Sequence, residues 1–479
     1  MIKKQFATAF ALLFTLAALA QDQPINIPWK NGKLKISDNH HFLVHENGKP
    51  FFWLGDTGWL LSSRLTRDNM DCYFNSCYQN GFNVVQVSVL HNIPFYNCYG
   101  KSALPHGFDF SRIDVPGEYG YWDHVDYMVE SAAKKGIYIG VVCVWGGPVK
   151  AGKMTEQDAV AYGTFLANRY KDKPNIIWII GGDIKGDNKQ EVWEALARTI
   201  HSIDRNHLMT FHPFGRTASY YWFNNEDWLD VNMFQSGHRR YGQQNGDGDY
   251  TIQANTEEDN WRFVEKAYSL KPEKPVLDGE PSYEQIPQGL HDTTQPYWQA
   301  QDVRRYAYWS VFAGSFGHTY GHNSIMQMLT PGVTPSYGAK KYWYEALEDP
   351  GRRQMHYLKD LMTALPFTEG KPDQHVIAGE AGEKHDRLVA TCGNDYLLVY
   401  TYTGKTINAD LTKISGATKN IWWFNPADGR LTFVETVKSG ICSYVPEGGN
   451  REGNDKVLIA IDATKHYLQT NQTSLATNN

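Results

Sequence analysis

The stretch Ile-Ile-Trp-Ile-Ile-Gly-Gly-Asp, residues 176–183, decides how the rest of the 479-residue chain is read. Five consecutive apolar residues predict a strand buried on both faces, the pattern of a parallel sheet covered by helices. Two glycines let the backbone turn tightly, and a carboxylate follows at once. Residues 190–203 have helical texture, so Asp183 stands at the C-terminal end of a strand in a strand–helix unit. The pattern returns at 275–281, Pro-Val-Leu-Asp-Gly-Glu-Pro, a short apolar strand with Glu280 at its end. In a parallel α/β barrel, the C-terminal strand ends carry the chemistry.

Outward from these two segments, strands are expected at 51–55, 83–90, 137–145, 176–181, 207–212, 229–235, 276–278 and 315–320. Helical texture intervenes at 67–80, 122–135, 190–203, 302–313 and 353–364. Thr155 with Asp158 predicts a capping box for a helix to 170, and Thr256 with Asp259 repeats it for a helix to 270. Strand–helix alternation over roughly 300 residues argues for a closed (β/α)8 TIM barrel spanning 51–365. A β segment at 21–50 precedes it. After Pro366 come short β-like runs at 387–392, 396–402, 420–424, 431–437, 441–445 and 456–461, separated by Gly, Asp and Asn turns. They predict a C-terminal all-β sandwich over 366–470, with a polar, disordered tail at 471–479.

Residues 1–20 read as a secretory signal peptide: Met-Ile-Lys-Lys, a short apolar run, and Ala18-Leu19-Ala20 before Gln21. The mature protein is therefore expected to be exported, either periplasmic or secreted, with no membrane span. The net charge of −6 is spread along the chain and gives no nucleic-acid footprint. Six cysteines are too few for a disulfide scaffold in a chain of this length. Cys72, Cys77 and Cys143 are expected as buried free thiols. The state of Cys98 stays open, as does a Cys392–Cys442 pairing. His91, His212, His238, His318 and His322 form no tight metal-ligand motif, and no phosphate loop or Gly-x-Ser-x-Gly elbow is present. No metal or cofactor is expected.

Two carboxyls at strand ends four and seven suit glycoside cleavage. One protonates the leaving oxygen and the other, ionised, attacks the anomeric carbon; they stand roughly 5–5.5 Å apart for retention and about 6.5–9.5 Å for inversion. The bland alternative has Asp183 capping the next helix and Glu280 paired with an arginine. Other strand ends supply a substrate-binding rim: Asp56, Trp59, His91, Trp145, His212, Gln235, Tyr283 and His318. Tyr283 is placed to hydrogen-bond Glu280, and Asp56 to grip sugar hydroxyls. Glu284 reads as loop surface. Loops 93–119 and 238–250 are expected to fold over the strand ends and make a pocket that takes terminal sugars.

Phe52-Trp53-Leu54-Gly55-Asp56-Thr57, Gly81-Phe82-Asn83, Ile180-Gly181-Gly182-Asp183 and Asp278-Gly279-Glu280-Pro281 resemble the motifs of the apiosidase-like proteins, glycoside hydrolase family 140. The resemblance implies an exported bacterial enzyme that removes apiose from side chains of the plant pectin rhamnogalacturonan II. Its partner would be a plant cell-wall oligosaccharide, with Asp183 as acid/base and Glu280 as nucleophile. The larger barrel clan has Asn-Glu at the fourth strand end where this chain has Gly-Asp, so the backbone must bring the shorter Asp closer. The family's C-terminal domain carries a collagen-binding label, but nothing at 370–465 suggests a way to grip a triple helix. The competing reading is a non-catalytic glycan-binding or adhesion protein on a barrel scaffold.

Overall fold

Eight parallel strands form a closed barrel in the computed structural model, which describes residues 25, 27–113, 117–243 and 256–468. They are β1 (Trp53–Thr57), β2 (Val84–Ser88), β3 (Tyr138–Val142), β4 (Ile176–Ile184), β5 (Met209–Pro213), β6 (Asn232–Gln235), β7 (Val276–Asp278) and β8 (Gly317–Tyr320). Strands β8, β1, β2, β3, β4 and β5 run side by side in that order. A Thr210–Val231 bridge joins β5 to β6, and β6 pairs in parallel with β7. Phe316 N–H donates to the Val276 carbonyl at 3.2 Å, and Ser315 Oγ to the same oxygen at 2.9 Å, which closes β7 onto β8. The expected signal peptide at 1–20 and tail at 471–479 lie outside the described residues.

Helices Arg67–Gln79, Tyr121–Lys134, Glu156–Tyr170, Gln190–Ile203, Asp259–Tyr268, Ala300–Phe312 and Pro350–Thr363 surround the barrel. After β5 the chain makes only a four-residue helix, Tyr220–Phe223. Thr155 and Asp158 form the expected capping box, with Thr155 N–H donating to Asp158 at 2.9 Å and Asp158 N–H to Thr155 Oγ1 at 3.2 Å. The Thr256 box does not form. Asp259 turns instead to Arg216 at 2.7 Å, because a buried guanidinium holds a carboxylate more strongly than a helix start does.

Residues before the barrel make a three-stranded antiparallel sheet, Leu34–Ile36, Leu43–His45 and Pro50–Phe51. Trp29 and Phe51 meet the Tyr138 ring edge-on at 5.6 and 5.4 Å, so this sheet sits at the barrel end away from the C-terminal strand ends. Beyond the barrel, six antiparallel strands and a separate two-stranded sheet, Ile407–Asp410 with Ile441–Tyr444, form the C-terminal β domain. The strand at 407–410 escaped the sequence reading because only two of its residues, Ile407 and Ala409, turn inward.

Strand Tyr396–Thr401 explains why the two parts pack permanently. Leu397 and Val399 face the small sheet, while Leu398 and Tyr400 join the barrel's own core. Tyr400 stacks on Tyr308 of helix Ala300–Phe312 with ring centres 5.0 Å apart. Every residue of that strand is buried, and each large side chain removed from water contributes about 1.5–3 kcal/mol.

All six cysteines are free. Cys77 and Cys143 are buried, as expected. Cys72 is exposed, because helix Arg67–Gln79 turns that position to solvent while Met70, Tyr73, Phe74 and Cys77 face the core.

Arg304 clasps Asp455 across this junction with two hydrogen bonds of 2.8 and 2.7 Å, and both side chains are buried. Asp455→Ala leaves the guanidinium buried without its partner. We expect a loss of about 3–5 kcal/mol in urea denaturation. A loss under about 0.5 kcal/mol would mean the junction is looser than drawn.

Candidate active site

The pairing of β4 with β5 keeps register up to Gly181–His212, then skips to Ile184–Pro213. Gly182 and Asp183 are the extra residues. Gly181, Gly182 and Asp183 all take positive φ, +79°, +137° and +51°. A Cβ on Gly181 would lie 2.7 Å from the His212 carbonyl, and one on Gly182 2.7 Å from the Trp145 ring. Only glycine fits there. This detour carries the Asp183 carboxyl toward Glu280, and both line one cavity.

The same detour sets the protonation of a neighbour. Asp183 N–H donates to His212 Nδ1 at 3.3 Å, and Tyr283 N–H donates to His238 Nδ1 at 3.4 Å. With Nδ1 accepting, each neutral ring carries its proton on Nε2. His238 Nε2 lies 3.2 Å from Glu280 Oε1, and His212 Nε2 lies 3.2 Å from Oε2. The His238 contact is a hydrogen bond, whereas the His212 approach is close but poorly aligned, so Oε2 has no fixed partner.

Burial alone would raise the Glu280 pKa, but the His212 and His238 N–H groups outweigh it and hold the carboxyl well below its ordinary range. Asp183 goes the other way. Burial first, then the Glu280 charge, pushes it up to about 6, against opposing pulls from His212, His238 and a hydrogen bond from Gln235. Asp183 is nonetheless partly open to the cavity. Two carboxyls driven apart in this way define an acid and an ionised partner.

Both face a cavity of about 340 Å³. Trp59 and Trp145 form one wall, with ring centres 5.2 Å apart, and His91 lies 4.6 Å from Trp145. Burial, then the Arg64 charge, lowers the His91 pKa to about 4 and keeps the ring neutral. Gln235 Oε1, Tyr283 Oη and His91 Nδ1 are buried without a hydrogen-bond partner. Burial and then the Glu280 charge hold the Tyr283 phenol well above its usual range, so it keeps its proton to donate. A ligand rich in hydroxyls satisfies such groups. Among the described residues, no cluster of three or more His, Cys, Asp or Glu is arranged to hold a metal.

Of the expected rim, Trp59, His91, Trp145, Gln235 and Tyr283 line the cavity. His212 does not, since it is fully buried against Trp59 and Trp145 and serves Glu280 instead. Asp56 and His318 do not reach the cavity either. Asp56 is buried against Tyr73 Oη at 2.9 Å and Arg352 Nη2 at 3.1 Å, between β1 and its helices. Pairing aligns His318 with Leu54 and Tyr320 with Asp56, so period-2 alternation puts His318 on that same outer face. Glu284 is not loop surface. It is buried, accepting Gly351 N–H at 3.0 Å and Arg352 N–H at 3.2 Å at the start of helix Pro350–Thr363. No described residue of 93–119 lines the cavity, and 244–250 lie outside the described residues. The outer wall comes from His238 and Arg239 of the second of these loops together with Ile286, Leu290, His291 and Tyr337. Arg216, Arg239 and Tyr337 were passed over because they lie in loops past the strand ends, where no periodicity marks them.

Opposed ionisation of two carboxyls at the strand ends of a closed barrel is the arrangement that glycoside cleavage uses, and the similar proteins are glycoside hydrolases. Residues 37–369 match the family model "Apiosidase-like, catalytic domain", and the chain belongs to the apiosidase-like family. Residues 371–461 match "Putative collagen-binding domain of a collagenase". A solved structure named "Glycoside hydrolase" is similar at 60% identity, covering 92% of this chain and 100% of that one, with a TM-score of 0.91. Another, named as a glycoside hydrolase family 5 from Bacteroides vulgatus ATCC 8482, is also 60% identical, covering 94% and 98%, with a TM-score of 0.92. A structure named "putative glycoside hydrolase" from the same organism shares the fold at 14% identity, with a TM-score of 0.61 and coverage of 90% and 82%. No curated protein matches the chain.

Gly181→Ala would place a Cβ 2.7 Å from the His212 carbonyl and force alanine to φ +79°. The expected destabilisation is about 1–3 kcal/mol by urea titration. An unchanged midpoint would contradict the detour at the end of β4.

Proposed function

We propose that the protein is an exported glycosidase that removes a terminal sugar, apiose, from rhamnogalacturonan II side chains by a retaining mechanism. The observation that carries the reading is the pair Asp183 and Glu280, pushed to opposite ionisation in one cavity. Membership of the apiosidase-like family supports the choice of sugar, and the N-terminal twenty residues support export. A binding protein would have no use for carboxyls held apart in this way.

In the first step Glu280 Oε2 attacks the anomeric carbon while Asp183 gives its proton to the departing oxygen, so that a glycosyl-enzyme ester forms and the old C–O bond breaks. Asp183, now ionised, takes a proton from water. That water attacks the same carbon and frees Glu280. Trp59 and Trp145 supply apolar ring faces, while Gln235, Tyr283 and His91 meet hydroxyls. A cavity of about 340 Å³ holds a sugar or two, which favours terminal cleavage over cutting within a polymer. Strands Tyr396–Thr401 and Lys456–Asp462 of the large sheet spend both faces in packing, so the C-terminal domain is assigned a structural role rather than collagen binding.

Glu280→Gln should lose about 10⁴-fold or more in kcat on every substrate, because no intermediate forms. Asp183→Ala should lose about 10²–10⁴-fold on the natural glycan but far less on an activated aryl glycoside, where it gives a burst that azide converts to turnover. Near-wild-type activity of Asp183→Ala on the glycan, or a first product of inverted configuration, would sink the assignment.

The pH dependence follows from the same pair. Asp183 must be protonated in the first step, so kcat/KM on the glycan should fall as pH rises through about 6. With an aryl glycoside, which needs little protonation, the fall should flatten. Identical alkaline limbs for the two substrates would contradict Asp183 as the acid.

A further inference from the structure

Asp278 is a buried carboxyl at the end of β7 with no part in the proposed chemistry. Its surroundings are unusually specific. Ser236 Oγ lies 2.6 Å from Asp278 Oδ2, Ser236 N–H donates to Oδ1 at 3.3 Å, and the Glu280 N–H also donates to this carboxyl. Ser236 opens the turn that carries His238, and Glu280 is the residue His238 serves. One carboxyl thus ties down both partners of the hydrogen bond between His238 Nε2 and Glu280 Oε1.

Other bonds also stitch the two segments together, and the Tyr283 N–H donates to the His238 ring. Gly237 N–H donates to the Glu280 carbonyl at 3.0 Å, and Ser282 Oγ to the Gly237 carbonyl at 2.9 Å. Gln86 Nε2 donates to the Gly279 carbonyl at 2.8 Å. These fix the backbones, whereas Asp278 fixes where the turn at 236 starts relative to the amide of Glu280.

We infer that Asp278 is a positioning residue, which holds the turn of His238 against the start of Glu280 so that the imidazole N–H meets the carboxylate. The kinetic part of this inference rests on the glycosidase reading above. Burial, against the donors around it, lifts Asp278 to about 7. At the pH where Asp183 keeps its proton, Asp278 is neutral as well, and Ser236 Oγ then accepts from it rather than donates. Glu280 is left as the only charged carboxyl of the three. The groups facing Glu280 are Asp183 from β4, His212 from β5, His238 after β6 and Tyr283 after β7, with Arg216 and Arg239 on the cavity wall. Of these, His238 is the one whose donor Asp278 aims.

The test compares Asp278→Ala, Asp278→Asn and Ser236→Ala in full-length protein with 15N-labelled histidine. In Asp278→Ala the His238 N–H should move off Glu280 and the ring 15N resonances should shift. On a rhamnogalacturonan II digest, kcat/KM should fall about 10–100-fold, with the acid limb moving up about one pH unit. Asparagine reproduces the neutral acid's donor and acceptor and should stay within about threefold of wild type. Ser236→Ala should shift the His238 resonances and the limb in the same direction as Asp278→Ala, and it decides the matter if Asp278→Ala does not fold. An unchanged His238 spectrum and acid limb in the alanine variants, whatever happens to Tm, would overturn the inference. If the protein hydrolyses no glycoside, the functional reading fails while the nitrogen spectra still judge Asp278.

Discussion

Glu280 keeps a negative charge in a buried place because the His238 N–H meets one of its oxygens and His212 Nε2 lies 3.2 Å from the other. An isolated carboxylate there would cost several kcal/mol and would take up a proton instead. Each imidazole in turn needs a reason to carry its proton on Nε2. For His212 the reason is the backbone amide of Asp183, and for His238 it is the amide of Tyr283. Asp183 therefore bears on the charge state of Glu280 through its own main chain. That dependence runs from sequence to chemistry through two glycines, since only they permit the turn that delivers the Asp183 amide to His212. Burial, and then the field of the charged Glu280, raise Asp183, and the opposed ionisation follows.

Much of the barrel was legible because its evidence is periodic. The run at 176–180 could only be a doubly buried strand, and the carboxyl after it could only stand at that strand's end. The same logic found Glu280. It failed where parity decides: Asp56 and His318 also stand near strand ends but on the outer face, and a strand of four or five residues gives little basis for choosing the face. It also failed for His212, whose residue type suits sugar binding but whose complete burial makes it a prop for Glu280. Sequence could not show that Thr256 would lose its helix partner to Arg216, because that competition is between segments about forty residues apart.

The outer face of the barrel has a polar logic of its own. Arg352 is fully buried and meets Asp56, Ser76 and the Cys77 thiol, while Glu284 receives the first amides of the helix that carries Arg352. Each charge has its partners, so this layer holds helices to strands with little room for adjustment. The C-terminal domain extends the same principle, with Arg304 and Asp455 locking a sheet whose apolar face is part of the barrel core. The cavity thus rests on a scaffold fixed from behind, which is what a site built on two short side chains needs.

In the proposed mechanism Glu280, and not Asp183, forms the bond to sugar. Exposure to a 2-fluoro apioside with an activated leaving group should trap the glycosyl-enzyme, which peptide mass spectrometry can locate. The account predicts one sugar residue on the peptide bearing Glu280 and none in Glu280→Gln. A label on Asp183, or no label on an enzyme that turns over the unfluorinated apioside, would contradict it.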